Sequence, residues 1–588
     1  MRRFLLEVSW EVANKVGGIY TVIKEKSPYI HQRFGDDYLV IGPFLSEKSL
    51  SEFTLLTPPA EFNDVITAVE KYGIKAHYGE WLVSSTIRGF LLDFSELQQR
   101  EKLNLMKYEL WERYRIDSRR TGQDFDEPLA WCRAVSFFLK EFGHKFEATV
   151  KILHLHEWLS GSVILFEELP TFKKIFSIHA TVLGRSLAAT QINFWEHLTL
   201  INPETEAYRL GVEAKHAIEM HTTKKADYFT CVSNLLALEA EKFLGRKADA
   251  VLPNGLNFNR FPTVEEISYA HRLHKKTIQD FILYYFAPFY KVETKDSLFY
   301  FISGRHEVKN KGIDIFIRAL GLLKRKLQQS KTNIFAFIFV PTETKEVNHL
   351  LLNNLNIYRN IEEKIDELSH EIKSRLVHFL IHKETISPET LFTQEEFLEI
   401  QSVFKQARPL SEIPITTHFI DPNDEILNLI RQENLLNKEE DRVKVIYYPT
   451  YLSHADGLLN LSYEEAISGC HLGVFPSFYE PWGYTPLETA ASGVITVTTD
   501  LTGFADYLKN NAAFDSQSPG IHILKRKLRR ETEVIEDLAE IMFKFSEQSR
   551  SERVQEKLEA RRLALLCDWN KLIKYYFNLY DQILKDAD

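Results

Sequence analysis

Arg305 and Lys311 lie in the run SGRHEVKNKG (303–312), which follows an apolar, strand-like segment and precedes an amphipathic, helix-like one. At the C-terminal edge of a parallel sheet, two fixed cations could hold a diphosphate and neutralise it as it leaves, with no metal required. The competing reading is a solvated basic loop. EVSWEVANKVGGIY (7–20) repeats the order of strand, polar loop and helix. Gly17 and Gly18 let backbone amides approach an anion, the following helix adds positive potential and Lys15 adds a full charge. The competing reading there is a tight turn.

GCHLGVFPSFYEPWGYTPLETA (469–490) places Glu480 in a loop between a buried strand and a helix, where a carboxylate can meet a ligand. Thr485, Pro486 and Glu488 read as N-cap, N1 and N3 of that helix, a capping box that gives Glu488 a structural task. His179 follows the strand-like stretch 174–178; a single histidine there is either structural or part of a site. His154 and His156 form an HxH pair in HLHEW, but the sequence shows no third ligand nearby, so no metal centre is expected.

The elements that must position these residues are legible as short apolar runs, rich in β-branched and aromatic residues, at 152–156, 174–178, 228–232, 298–302, 334–340, 443–448, 472–475 and 494–498. Helical periodicity lies between them, as in 312–328 and 235–243. Such alternation is the mark of an α/β protein with parallel sheets. It occurs twice, over 1–258 and again from about 297, so two Rossmann-like units facing a cleft are expected. PNGLNF (253–258) is the turn between them. Domains are therefore expected at 1–258, with 560–588 crossing back to it, and at 259–559, with helical insertions near 262–296 and 345–435. Within the second insertion Ile361, Ile365, Leu368, Ile372 and Leu376 form a coiled-coil-like seam, either a hairpin packed on its own unit or a subunit contact.

Composition excludes several classes. With 72 Lys+Arg against 82 Asp+Glu, the net charge of −10 argues against a generally basic, nucleic-acid-binding surface. Four cysteines without a CxxC argue against a disulfide scaffold or structural zinc. No signal-peptide core or membrane span is expected. The 24 glycines are absent from 256–303 and 322–456, which fits inserted helices, and many of the rest fall in the loops described above.

Taken together and in order, EVSWEVANKVGGIYTVIK, HEWLSG, HATVLGR, PNGLNF, FISGRHEVKNKGIDIF and GCHLGVFPSFYEPWGYTPLE closely resemble the glycogen synthases of glycosyltransferase family 3, over about residues 5–578. The resemblance implies a GT-B fold with a C-terminal crossover helix. It implies retaining transfer of glucose from UDP-glucose to the non-reducing 4-OH of an α-1,4-glucan such as glycogen, with no metal or other cofactor. Glu480 begins the family's E-x7-E motif and would act at the reacting sugar; Glu488 ends it, at the ribose. Arg305 and Lys311 match the pair at the leaving diphosphate. Lys15 and Gly18 match the first donor loop, His179 and Arg185 the residues beside the glucose. His471, Trp482, Gly483, Tyr484 and Thr485 match further donor positions. Lys15-Val16-Gly17-Gly18 differs from the Lys-Thr-Gly-Gly typical of ADP-glucose enzymes, which favours UDP-glucose.

The resemblance also implies glucose 6-phosphate as an effector. Arg553 and Lys557 fall on the two key cationic positions, with Arg550, Arg561 and Arg562 nearby and Glu556 and Glu559 diluting the charge. His271 and Lys275 fit on the inserted helix, although Thr277 replaces an arginine. The alternative is a solvated mixed-charge helix. A cytoplasmic homo-oligomer, a tetramer by preference, is expected, without nucleic-acid or membrane partners. Control by phosphorylated tails is not expected, because the motifs begin at residue 7 and end near Tyr576. The competing functions are another retaining GT-B enzyme, using ADP-glucose or a different acceptor, and an inactive glucan-binding scaffold.

Overall fold

The computed structural model describes residues 2–83, 86–190, 194–383, 385–405, 412–515 and 518–586. Two sheets organise the chain. The first runs Phe53–Leu55, Lys75–Leu82, Thr86–Asp93, Tyr38–Pro43, Arg3–Val8, Val150–His156, Phe172–Ile178, Tyr228–Cys231 and Ala250–Val251. It is parallel except at the Phe53–Leu55/Lys75–Leu82/Thr86–Asp93 edge. The second, wholly parallel, runs Val443–Tyr448, Ile334–Phe339, Leu298–Ser303, Leu472–Val474, Ile495–Thr499 and Ile521–Leu524. The central strands are buried along their length, as continuous apolar runs such as LFYFIS and IFAFIF require of strands covered on both faces.

Each sheet has its switch of strand order beside its first strand. Arg3–Val8 pairs with Tyr38–Pro43 on one side and Val150–His156 on the other. Leu298–Ser303 lies between Ile334–Phe339 and Leu472–Val474. The loops leaving these two strands are the ones carrying Lys15 and Arg305, and a switch point opens a crevice at the C-terminal ends of the strands. The expected fold class, two Rossmann-like units in the GT-B arrangement, is what the chain forms.

The strand-like runs read from sequence all became strands. The three-strand edge of the first sheet was not foreseen, because Lys75–Leu82 and Thr86–Asp93 mix exposed and buried positions without clean alternation. The seam of the second insertion is broken at Leu368, which separates the helices His349–Glu367 and Ser369–His382. The expected insertion at 345–435 includes 384 and 406–411, which lie outside the described residues.

The C-terminal segment is divided. Helix Arg550–Ala564 packs on the second unit, against the Tyr484–Ala491 helix and the strands Ile495–Thr499 and Ile521–Leu524. A turn at Leu565–Cys567 then leads to Trp569–Lys585, which packs on the Gly18–Phe34 helix and the Val150–His156 strand. The passage is pinned at the linker, where Leu256 N donates to Cys567 O (2.9 Å) and Trp569 N to Leu256 O (3.3 Å). Only glycine fits at position 255, since a Cβ there would overlap the Trp569 indole.

Candidate functional site

The second-sheet loop is fixed before it meets any ligand. The Asn310 carbonyl accepts from the amides of Phe478 (2.8 Å) and Tyr479 (3.2 Å), joining the 305–311 loop to the one carrying Glu480. Gly312, at φ 70°, lies against the Pro476 carbonyl so closely that any side chain would overlap it. The consequence is an ion pair between Lys311 Nζ and Glu480 Oε2. Arg305 lies beside Glu307 (3.1 Å) and is about half exposed.

From the first unit, the Val182–Ala189 helix packs against the short helix Val308–Lys311 and brings Arg185 to this loop. Burial disfavours the Arg185 charge, but Glu157, Tyr479, Glu307 and Glu480 around it more than restore it and raise its pKa. The Glu307 carboxyl is held low against its own burial by Arg305, Lys311 and Arg185. Cations from both halves therefore converge on one place.

The loop before that helix is organised by carboxylates. Glu157, at φ 65°, accepts from the amides of His179 (2.8 Å) and Ala180 (3.0 Å). Glu219 accepts from Val182 N (3.0 Å), and the Thr181 hydroxyl donates to Glu239. Burial lifts the Glu157 and Glu239 carboxyls to about 7. Tyr479 reaches over from the second unit: its hydroxyl donates to Glu239 Oε1 (2.8 Å) and accepts from Thr181 N (3.2 Å). The His179 ring contacts His156, and burial pushes its pKa down to about 3, so it is neutral.

The first loop differs from the reading of an open phosphate cradle. Glu11 Oε2 accepts from Gly17 N and Tyr20 N, both at 2.8 Å, so the chain's own carboxylate occupies part of the helix N-terminus. Burial raises the Glu11 pKa, while Arg305 and Arg185 act against it. Burial raises the Glu488 pKa, with Arg260 and, more weakly, the exposed Lys15 acting against it, and Gly18 faces the Tyr484 ring.

At the third motif the capping box is not formed. The helix is Tyr484–Ala491, its N-cap is Gly483 at φ 113°, and no side chain caps it. Only glycine adopts such a backbone readily, so the helix starts before Thr485 could cap it, and Thr485 lies in its first turn. Glu488 Oε1 instead accepts from Arg260 of the linker (2.8 Å), which also meets Glu464 (3.0 Å) and Glu25 (3.3 Å). Trp482 is buried against Tyr507, and its carbonyl accepts from Phe504 N (2.7 Å).

His471 is misplaced by the sequence reading. It precedes its strand, and its Nδ1 accepts from Phe299 N (3.0 Å) at the opposite end of the second sheet from Gly304. There it packs against His271, with ring centroids 4.9 Å apart. His271 belongs to the second expected cluster, and Lys557 and Lys275 act on it. Lys557 is buried; desolvation, then Lys275 and Arg553, push its ammonium down to about 7. Lys275 is lowered by burial, then by Arg553, with Asp296 opposing. The carboxylates thought to dilute this cluster do not. Glu556 accepts from Gln548 Nε2 (2.5 Å) and pairs with His522 (2.9 Å), and Glu559 pairs with Arg562 (2.6 Å). Arg550 stands at the exposed edge and acts on Lys275. Arg561 and Arg562 do not join: Arg561 donates to Ala491 O over the Phe258 ring, and Arg562 holds Ala513 O (3.0 Å).

The HxH pair does have a third group in space. Glu7, with His154 and His156, forms the one candidate metal cluster among the described residues. It comes from the neighbouring strand, where sequence spacing cannot show it. Lys26 Nζ already occupies Glu7 Oε1 at 2.5 Å, so the place is taken by an ammonium ion.

The glycogen synthase family model matches residues 7–587. The chain is 34% identical to the glycogen [starch] synthase of Neurospora crassa, over 99% of this chain and 84% of that one. It is 35% identical to glycogen [starch] synthase isoform 1 of Saccharomyces cerevisiae, over 97% and 84%. Against the Dictyostelium discoideum glycogen [starch] synthase it is 34% identical over 97% of its own length and spans 65% of that protein. Among solved structures, the catalytic domain of starch synthase IV from Arabidopsis thaliana, bound to ADP and acarbose, superposes with a TM-score of 0.51 at 12% identity, covering 98% of this chain and 99% of that one. That likeness speaks for the fold.

Proposed function

The chain belongs to the glycogen synthase family, and on that premise we propose that it transfers glucose from UDP-glucose to the non-reducing 4-OH of an α-1,4-glucan with retention of configuration. The observation that carries this reading is the convergence of Arg185, Arg305, Lys311 and Glu480 at the switch point of the second sheet, with Glu11, bound to Gly17 of the first loop, acted on by Arg305 and Arg185. Breaking the sugar–phosphate bond leaves extra negative charge on the diphosphate. Fixed cations already oriented by Glu307 and Glu480 stabilise that charge without reorganising, and they supply what a divalent metal would otherwise provide. Glu480, held against Lys311, is the carboxylate nearest the reacting sugar, where positive charge develops. Glu488 faces the ribose and exchanges its bond to Arg260 for the ribose hydroxyls. Gly483 and the amides of the first helical turn at Tyr484 and Thr485 complete the donor pocket.

We further propose that the cluster of His271, Lys275, Arg550, Arg553 and Lys557 takes glucose 6-phosphate. Buried cations without a bonded carboxylate favour a dianion in their midst. The helices His349–Glu367 and Ser369–His382 leave Ile365, Val377, Leu380 and Ile381 exposed, and self-association into a tetramer would cover them. No helix among the described residues is long and apolar enough to cross a membrane, and a cytoplasmic location is proposed.

Purified protein incubated with glycogen and labelled UDP-glucose should place label in the polymer. No incorporation from UDP-glucose or ADP-glucose would refute the reading, and faster incorporation from ADP-glucose would overturn the nucleotide. Sedimentation velocity tests the assembly; a monomer at micromolar concentration would overturn it.

A further inference from the structure

Behind His179 lies a line of buried polar groups that the proposed reaction does not use. Glu7 sits on the central strand of the first sheet, with His154 and His156 on the strand beside it. All three are shut off from water, as is Lys26 from the Gly18–Phe34 helix. Lys26 Nζ meets Glu7 Oε1 at 2.5 Å and lies over the Tyr576 ring, 4.4 Å from its centroid. The Tyr38 hydroxyl donates to Glu7 Oε2 at 2.5 Å. A fully buried ion pair is a poor stabiliser, since apolar residues of the same volume commonly do as well or better. Stability alone does not account for this one.

Its geometry has a chemical consequence two residues away. Lys26 has only protons to offer, so Glu7 is an ionised acceptor. Burial pushes the Glu7 carboxyl up, but Lys26 and the neighbouring groups bring it below the ordinary value. His156 Nε2, 2.7 Å from Glu7 Oε1, must therefore donate. Burial and the Lys26 charge keep His156 neutral, which leaves its Nδ1 bare. His179 Nε2, 3.0 Å from that Nδ1, must then carry a proton. His179 is itself neutral, so its own Nδ1 is a lone pair, and it has no partner among the described residues. The loop amides bound by Glu157 hold the ring's backbone in place.

We propose that Glu7 and His156 are positioning residues that fix His179 in the tautomer with its proton on Nε2 and a lone pair on Nδ1, so that the site meets the donor sugar with a hydrogen-bond acceptor. Such an acceptor takes a sugar hydroxyl and repels a phosphate oxygen, which keeps the sugar and the diphosphate in their own halves of the cleft. The tautomer follows from the network and the burial of the two rings; its use on a sugar rests on the function proposed above.

The test is ring-15N NMR of histidine-labelled whole protein near neutral pH, with the His179 signals assigned by their loss in His179→Asn. The expected result is a protonated Nε2 and a bare Nδ1. A proton on Nδ1, or a charged ring, would overturn the proposal without reference to any engineered network. A second arm uses Glu7→Gln with Lys26→Met, which removes the ion pair as a unit. Tyr38 then holds the amide oxygen and turns the amide NH2 toward His156, which should reverse both tautomers. We expect the His179 proton to move to Nδ1, kcat/KM to fall by about 10- to 100-fold, as when an orienting outer partner is lost, and thermal stability to be kept. An unchanged tautomer in this folded variant would equally overturn the proposal. Were the wild type to show the expected tautomer but turn over neither nucleotide sugar, the functional reading would fail and the assignment of Glu7 and His156 would stand.

Discussion

Tyr479→Phe deletes one oxygen at the seam between the two halves of the molecule. That hydroxyl donates to Glu239 Oε1 at 2.8 Å and accepts from Thr181 N at 3.2 Å, and all three residues are buried. Glu239 keeps its bond from the Thr181 hydroxyl, so the larger loss is the Thr181 amide, left in the interior without a partner. An orphaned buried amide costs about 1–3 kcal/mol, and the lost donor to a carboxylate adds to it. A total of about 2–3 kcal/mol corresponds to about 30- to 150-fold. The bond joins the residue next to Glu480 to the loop that carries His179, so the loss should fall on kcat/KM and lower the thermal midpoint by only a few degrees. Glucosyl transfer to glycogen at subsaturating UDP-glucose, with calorimetric unfolding of the same samples, measures both. Glu239→Gln is the matched control. Its amide oxygen still accepts from Tyr479 and Thr181, so it should keep most of the activity. Tyr479→Phe within about threefold of wild type, less than 1 kcal/mol, would refute the view that this seam positions the site.

Glu480→Gln should lower kcat about 100-fold or more with an unchanged melting midpoint, and unchanged turnover would remove Glu480 from the chemistry. Gly312→Ala places a Cβ against the Pro476 carbonyl at φ 70°, so about 1–2 kcal/mol of backbone strain plus the overlap should appear as a lower midpoint in thermal unfolding. The Lys557 ammonium titrates at about 7 instead of 10.5, so the folded chain binds fewer protons than the unfolded one between those values and stability rises with pH there. A bound dianion restores that charge. Glucose 6-phosphate affinity measured by calorimetry should therefore fall as pH rises above about 7, by up to about tenfold per pH unit, with proton uptake on binding. Lys557→Met should abolish that binding yet raise stability near pH 6.

The sequence by itself determined the two-sheet scaffold and where its functional loops leave it. Buried parallel strands read as continuous apolar runs, and glycines at 17–18, 304, 312 and 483 marked the loops that leave them, which local composition can reveal. It also carried most of the cleft residues, because strand, loop and helix follow one another in order. The capping box at Thr485 failed because Gly483 starts the helix earlier through a backbone conformation that side-chain pattern does not report. His471 failed because it precedes its strand, and in a parallel sheet the residue before a strand stands at the end away from the loops that follow the strands. Only the tertiary structure decided the partners of the carboxylates. Glu7, Glu11, Glu157 and Glu239 are ordinary glutamates in the sequence. Burial makes each costly to leave unpaired; Glu11 finds its partners in Gly17 and Tyr20 just beyond it, whereas those of Glu7, Glu157 and Glu239 come from other strands, loops and helices. The same holds for the cationic cluster around Lys557, where Glu556 turned out to serve His522 and Gln548, leaving Lys557 with Lys275 and Arg553 as its charged neighbours. Local pattern fixes backbone path, but charge in a low-dielectric interior is set by whatever lies within a few ångströms in space, and spacing along the chain does not encode that distance.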